Sequence, residues 1–287
     1  LKKFSLGLMI VLLLAFVAGC ASDGGEKETT ANQKITFGVT PWTSTVPPTK
    51  IASLIIQDMG YDVEEISADA TNVYIGLSRG DIDVFMDSWL PAHENLLEKY
   101  ADQVEDTAIS YDDVETGLVV PTYMEDINSV NDLKGKEDLF SNEVYGIESG
   151  ANVTGIINEL LESYELDLKQ VNSSEGGMLA QARRLMENED PVSFFGWRPH
   201  TMFNQYDLKV LADEQNFFET AAVHVITNNE LKENAPDVHQ FLSNWHISLD
   251  EVEEMIVKIE DENADPEAVA REWIDNNQDK VNEMIGK

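Results

Sequence analysis

Three tryptophans stand where stretches of β-type sequence end. Val39-Thr-Pro-Trp42 follows Ile35–Val39, Ser88-Trp89-Leu-Pro91 follows Ile82–Met86, and Gly196-Trp197-Arg-Pro199 follows Val192–Phe195. The chain has five tryptophans, and the other two, Trp245 and Trp273, fall in helical patterns that predict core positions. Three indole faces around one point suit a quaternary ammonium ion. Such an ion has no N–H to donate, so hydrogen bonds cannot select it, whereas a desolvated indole contributes about 2 kcal/mol by cation–π attraction. Three rings give roughly 6 kcal/mol, and a micromolar site needs about 8 kcal/mol, so the ligand needs a second pole. A candidate for that pole is the turn Glu148-Ser-Gly-Ala-Asn152-Val153-Thr154, which opens a helix. The free amides of Asn152 and Val153 there would hold a carboxylate. His93 and His200 follow the twin Trp-x-Pro motifs and are further candidates to hydrogen-bond a carboxylate, or simply histidines at a helix start. Asp87 and Glu94 lie beside the same motif; an acid there helps a cation and repels the acidic end of a zwitterion.

The elements that must position these residues follow one α/β plan used twice. Strands are predicted at 35–39, 61–67 and 82–86, with helices at 49–59 and 72–78 between them. Gly60 and Gly80 are their stops. The pattern recurs as a strand at 144–147, helices at 154–164 and 178–186, and a strand at 192–195. Gly117–Val120 and Ala222–Ile226 are the predicted crossovers, each followed by a polar stretch opening a helix, 128–133 and 229–242. The expected fold is therefore α/β in two lobes, 34–116 plus 222–287 and 117–221. Each is a mostly parallel sheet flanked by helices, with a ligand cleft between them at the carboxyl ends of the strands. The acidic C-terminal segment, 249–285, reads as helical with an apolar stripe through Met255, Ile256, Ile259, Val269, Trp273 and Ile274.

Of 287 residues, 43% are hydrophobic, enough for a core. The 54 acidic residues against 19 Lys+Arg give a formal net charge of −35, which excludes a nucleic-acid binder and a polybasic membrane-surface protein. Lys2 and Lys3 precede a short apolar run ending Val-Ala-Gly-Cys20, the pattern of an export signal over 1–20. Residues 21–33 are small and polar and read as a tether. Cys20 is the single cysteine, so the chain makes no internal disulfide and has no spare thiol nucleophile. No phosphate loop, His-Glu-x-x-His or Gly-x-Ser-x-Gly motif is present, so no cofactor, metal site or catalytic residue is expected.

The end of the export signal resembles a bacterial lipobox, which implies acylation at Cys20 and attachment to the outer face of the membrane. From about Lys34 onward the chain resembles the glycine betaine-binding lipoproteins of ABC osmoprotectant importers. Gly196-Trp-Arg-Pro-His-Thr-Met-Phe203, Ser88-Trp-Leu-Pro91 and Gly117-Leu-Val-Val-Pro121 carry the likeness. The resemblance implies a type II periplasmic-binding-protein fold and a three-Trp cage at Trp42, Trp89 and Trp197. It also implies a carboxylate held by the amides of Asn152 and Val153 and by His93. His93 stands four residues after Trp89 rather than the family's five, where Glu94 lies; Ser44 stands where choline receptors of the wider family carry an acid. The implied partners are a betaine or other quaternary amine (carnitine, proline betaine or choline), a membrane permease and a separate ATPase chain. A quaternary-amine sensor or adhesin and an extracellular glycoside hydrolase are the readings from other classes.

Overall fold

Residues 33–287 are described in the computed structural model of the chain; the export signal, Cys20 and the tether up to residue 32 lie outside them. The first lobe opens with β1 (Lys34–Val39), α1 (Val46–Asp58), β2 (Asp62–Ser67), α2 (Ala70–Arg79) and β3 (Val84–Leu90). Local chemistry sets these limits. The Asp69 side chain accepts from the Asn72 N–H at 2.9 Å to cap α2, and Gly80, at φ +74°, ends it in the left-handed region. Gly38 lets α2 lie close on β1, since a Cβ there would meet Val73 Cγ1 at 2.5 Å. α3 (Glu94–Lys99) and β4 (Val104–Val114) follow.

The chain then enters the second lobe through β5 (Thr116–Pro121) and continues with β6 (Glu143–Gly146), α4 (Asn152–Ser163) and β7 (Lys169–Asn172). α5 (Glu175–Met186), β8 (Phe194–Trp197), α6 (Met202–Gln205) and β9 (Leu208–Val210) complete it. The return strand, β10 (Ala221–Asn228), leads to α7 (Leu231–Asn234), α8 (Pro236–Ser243), α9 (Leu249–Glu260), α10 (Pro266–Asn276) and α11 (Gln278–Met284). Ser248 and Glu251 form a capping box at α9, and α10 packs against α1.

Two five-stranded sheets result, in the orders β2-β1-β3-β10-β4 and β7-β6-β8-β5-β9. In each, the first three strands are parallel, as the alternating pattern predicts. The crossover strands β10 and β5 are antiparallel to both neighbours. Three strands escape the sequence reading: β4, β7 and β9. β4 carries Glu105, Asp106, Asp112 and Asp113, and bulges shift its register against β10, so its apolar alternation is broken. The predicted helix at 128–133 is a single 3-10 turn, Val130–Leu133, capped by Ser129 and Asp132. Trp245 and Trp273 are buried in the core as expected, their indole N–H groups donating to Ser110 Oγ at 2.8 Å and Glu251 Oε1 at 3.1 Å.

Candidate ligand-binding cleft

The parallel strands β1, β3, β6 and β8 end at one cleft of about 680 Å3, counting its open mouth. Trp42 enters it from the turn after β1, Trp89 from the end of β3 and Trp197 from the end of β8; all three are buried. Both crossover strands begin there too, because Thr116 pairs with Trp197 and Ala222 with Leu90, and Thr116 and Ala221 line the wall.

Each indole is held by a different neighbour. The Trp89 Nε1–H donates to Asp87 Oδ1 at 3.1 Å, and the Trp42 Nε1–H donates to Glu148 Oε1 at 2.8 Å. Trp197 stacks on Phe195 at 5.4 Å between centroids and meets the His200 ring edge-on at 4.8 Å. His200 is thus a support rather than part of the lining. Its Nδ1 accepts from the Met202 N–H at 2.9 Å, and its Nε2 lies 3.1 Å from Glu175 Oε1.

His93 lines the cleft and is buried, while Glu94 points to solvent. The His93 Nδ1 accepts from the Trp89 backbone N–H at 3.1 Å, so in the neutral ring the proton sits on Nε2, which has no acceptor among the described residues. Burial pushes the imidazole down to about 4, so it remains a neutral donor at physiological pH. Its ring stacks on Trp42 at 6.2 Å with 22° between planes.

Across the cleft, α4 starts after Ala151 with no side-chain cap, leaving the N–H groups of Asn152 and Val153 without acceptors among the described residues. The Asn152 side chain is committed elsewhere. Its Nδ2 donates to Ala92 O at 3.1 Å and Asn95 Oδ1 at 2.9 Å, joining the second lobe to the first. The Thr43 N–H donates to Glu175 Oε2 at 3.2 Å and, like the Trp42–Glu148 bond, also joins the two lobes.

Asp87 lies behind the lining, wholly buried, and accepts from Thr40 Oγ1 and Ser44 Oγ, each at 3.2 Å, besides Trp89. Burial drives its carboxyl up to about 7; the three donors oppose that shift, and Glu175 adds to it. Sequence reasoning did not select Phe195, Phe217, Phe218, Ile147 and Ile156, which make up much of the apolar wall. A Phe-Phe pair in the otherwise polar 212–220 link was the one signal available for two of them.

Over residues 33–276 the chain matches the family described as the substrate binding domain of the ABC-type glycine betaine transport system. The chain belongs to that family. Its members are binding domains, not enzymes, which removes the hydrolase reading. The chain is 33% identical to the glycine betaine/carnitine transport binding protein of Listeria monocytogenes over 142 residues; that match covers 48% of this chain and 47% of the relative. The fold superposes on lactococcal OpuAC in its closed, glycine betaine-bound form with a TM-score of 0.83 and 28% identity, over 88% of this chain and 99% of that one. It superposes on an ABC-transporter choline binding protein in complex with choline at 0.82 and 27%, over 88% and 91%. These likenesses show the two-lobed periplasmic-binding-protein fold.

Proposed function

We propose that this chain is the extracytoplasmic receptor of an osmoprotectant importer and that glycine betaine is its preferred ligand. The trimethylammonium group would sit among Trp42, Trp89 and Trp197. The carboxylate would take the amides of Asn152 and Val153 and the Nε2–H of His93. The lobes, 34–116 plus 222–287 and 117–221, would close around it and dock on a permease powered by a separate ATPase chain. Acylation at Cys20 would tether the receptor to the membrane after export. One observation carries the reading: three indoles from three strand ends share a cleft with N–H donors that have no acceptor among the described residues. Aromatic walls bind the cationic pole, and the free N–H groups bind the anionic one.

Choline is the second reading, and buried Asp87 favours it, because an acid behind the cage attracts a bare cation and repels a zwitterion's carboxylate. Titration calorimetry against glycine betaine, carnitine, proline betaine and choline tests both. Tightest binding of glycine betaine supports the first, tightest binding of choline supports the second, and no heat with any of the four refutes the ligand class. Replacing Cys20 with Ser tests the anchor: the variant protein should leave the membrane fraction, and retention there would refute acylation at that thiol.

A further inference from the structure

The two cleft indoles that donate their N–H groups both donate to carboxylates, one in each lobe. Asp87 Oδ1 takes the Trp89 N–H at 3.1 Å from within β3, and Glu148 Oε1 takes the Trp42 N–H at 2.8 Å from the turn after β6. Trp197, packed on Phe195 and His200, has no such bond among the described residues.

An indole ring attracts a cation through the negative face of its quadrupole. A carboxylate accepting the ring N–H polarises that bond and pushes electron density toward the ring, as linked hydrogen bonds polarise one another. It also fixes the ring plane with a charge-assisted bond and places a negative charge in a region of low dielectric, where the charge is felt at longer range. We infer that Asp87 and Glu148 are specificity-determining residues, setting the cleft's preference for a positively charged ligand through the N–H groups of Trp89 and Trp42.

The two acids act at different stages. Asp87, Trp89 and Trp42 all belong to the first lobe, so the Asp87 bond is made before any ligand arrives. Glu148 reaches Trp42 from the second lobe, so its bond exists only when the lobes are together. Closure therefore raises the attraction for a cation at the moment the cleft is sealed. The inference rests on the quaternary-ammonium reading of the cleft, and its test separates the two.

The titratable groups facing Asp87 are Tyr111 from β4 and Glu175 from α5, and neutral His93 packs beside it through Ser88 and Trp89. None of these is a cation at neutral pH, so none of them neutralises Asp87 when it is ionised.

The test compares glycine betaine with tert-butylacetate, which has the same shape with carbon in place of the ammonium nitrogen. Dissociation constants are measured by calorimetry for the wild type, Glu148→Gln and Asp87→Asn. Both variants remove the charge and keep one oxygen that can accept the indole N–H. Each should weaken glycine betaine on the order of ten-fold without weakening tert-butylacetate, whose carboxylate the acids repel. In the wild type, affinity for glycine betaine should rise as Asp87 ionises around neutral pH, and Asp87→Asn should abolish that rise. Equal losses for the two ligands would mean that the acids only hold ring geometry, and no loss for either would mean that they do nothing; both results overturn the inference. Should Asp87→Asn fail to fold, Glu148→Gln decides alone, since Glu148 is half-buried in a turn. A wild type that binds none of the quaternary amines would instead refute the proposed function itself.

Discussion

Removing one wall of the proposed cage is the most direct perturbation. Trp197 is buried at the end of β8, stacked on Phe195 at 5.4 Å and edge-on to His200 at 4.8 Å. In Trp197→Ala the ligand loses one desolvated cation–π contact, about 2 kcal/mol, which corresponds to about 30-fold in Kd. The same change leaves a cavity, and truncations of buried Trp cost about 3–5 kcal/mol of stability, so the variant's folding must be checked by circular dichroism before titration. The control is tert-butylacetate, whose uncharged tert-butyl group fills the same space as the trimethylammonium group. If the indole recognises charge, the substitution weakens glycine betaine by about ten-fold more than it weakens the isostere. Calorimetry of both ligands on both proteins gives the four numbers required. An unchanged Kd for glycine betaine would refute the cage. Equal losses for the two ligands would show that Trp197 supplies apolar contact and nothing specific to a cation.

Three further outcomes are expected. Replacing His93 with Ala removes the proposed neutral donor to the carboxylate and should cost glycine betaine about 1.5–3 kcal/mol and choline much less; equal losses would take His93 out of the carboxylate site. Because burial holds that imidazole down to about 4, the His93-dependent part of betaine affinity should stay constant between pH 8 and 5, as read from titrations of wild type and the Ala variant side by side. Asp87 has a folded-state value raised to about 7 from 3.8, so the folded protein keeps a proton that the unfolded chain releases in that window. Its contribution to stability is full below pH 4 and falls as pH rises toward 7, by about 4 kcal/mol at most. Urea unfolding at several pH values should show that slope as the difference between wild type and Asp87→Asn, and parallel curves would refute it.

The alternation of strands and helices was legible because each buried strand and each capped helix advertises itself locally. Ile35–Val39 and its partners read as strands, and the paired Trp-x-Pro motifs exposed the internal repeat. The placement of the three cleft tryptophans was legible for a related reason. In an α/β plan the carboxyl ends of parallel strands converge, so a residue placed just after a strand is placed near the cleft. β4 was not legible, because its acids sit among its core residues and its pairing with β10 is irregular. The roles of the histidines were also out of reach. Both follow a Trp-x-Pro motif, yet His93 lines the cleft and His200 braces Trp197 from behind.

The sequence by itself determined the class of fold, the acidic surface and which residue types gather at the strand ends, since these depend on period, composition and order along the chain. The tertiary structure decided how those residues meet. Asp87 is two residues from Trp89 in sequence, but its proximity to Ser44 and Thr40 depends on β1 lying beside β3. Glu148 reaches Trp42 across 106 positions because the two lobes face each other. Hydrogen bonds act over about 3 Å, whereas sequence patterns report only which face of an element a residue occupies. The partners of the indole N–H groups, and the side of His93 left free to donate, are therefore properties of the assembled cleft.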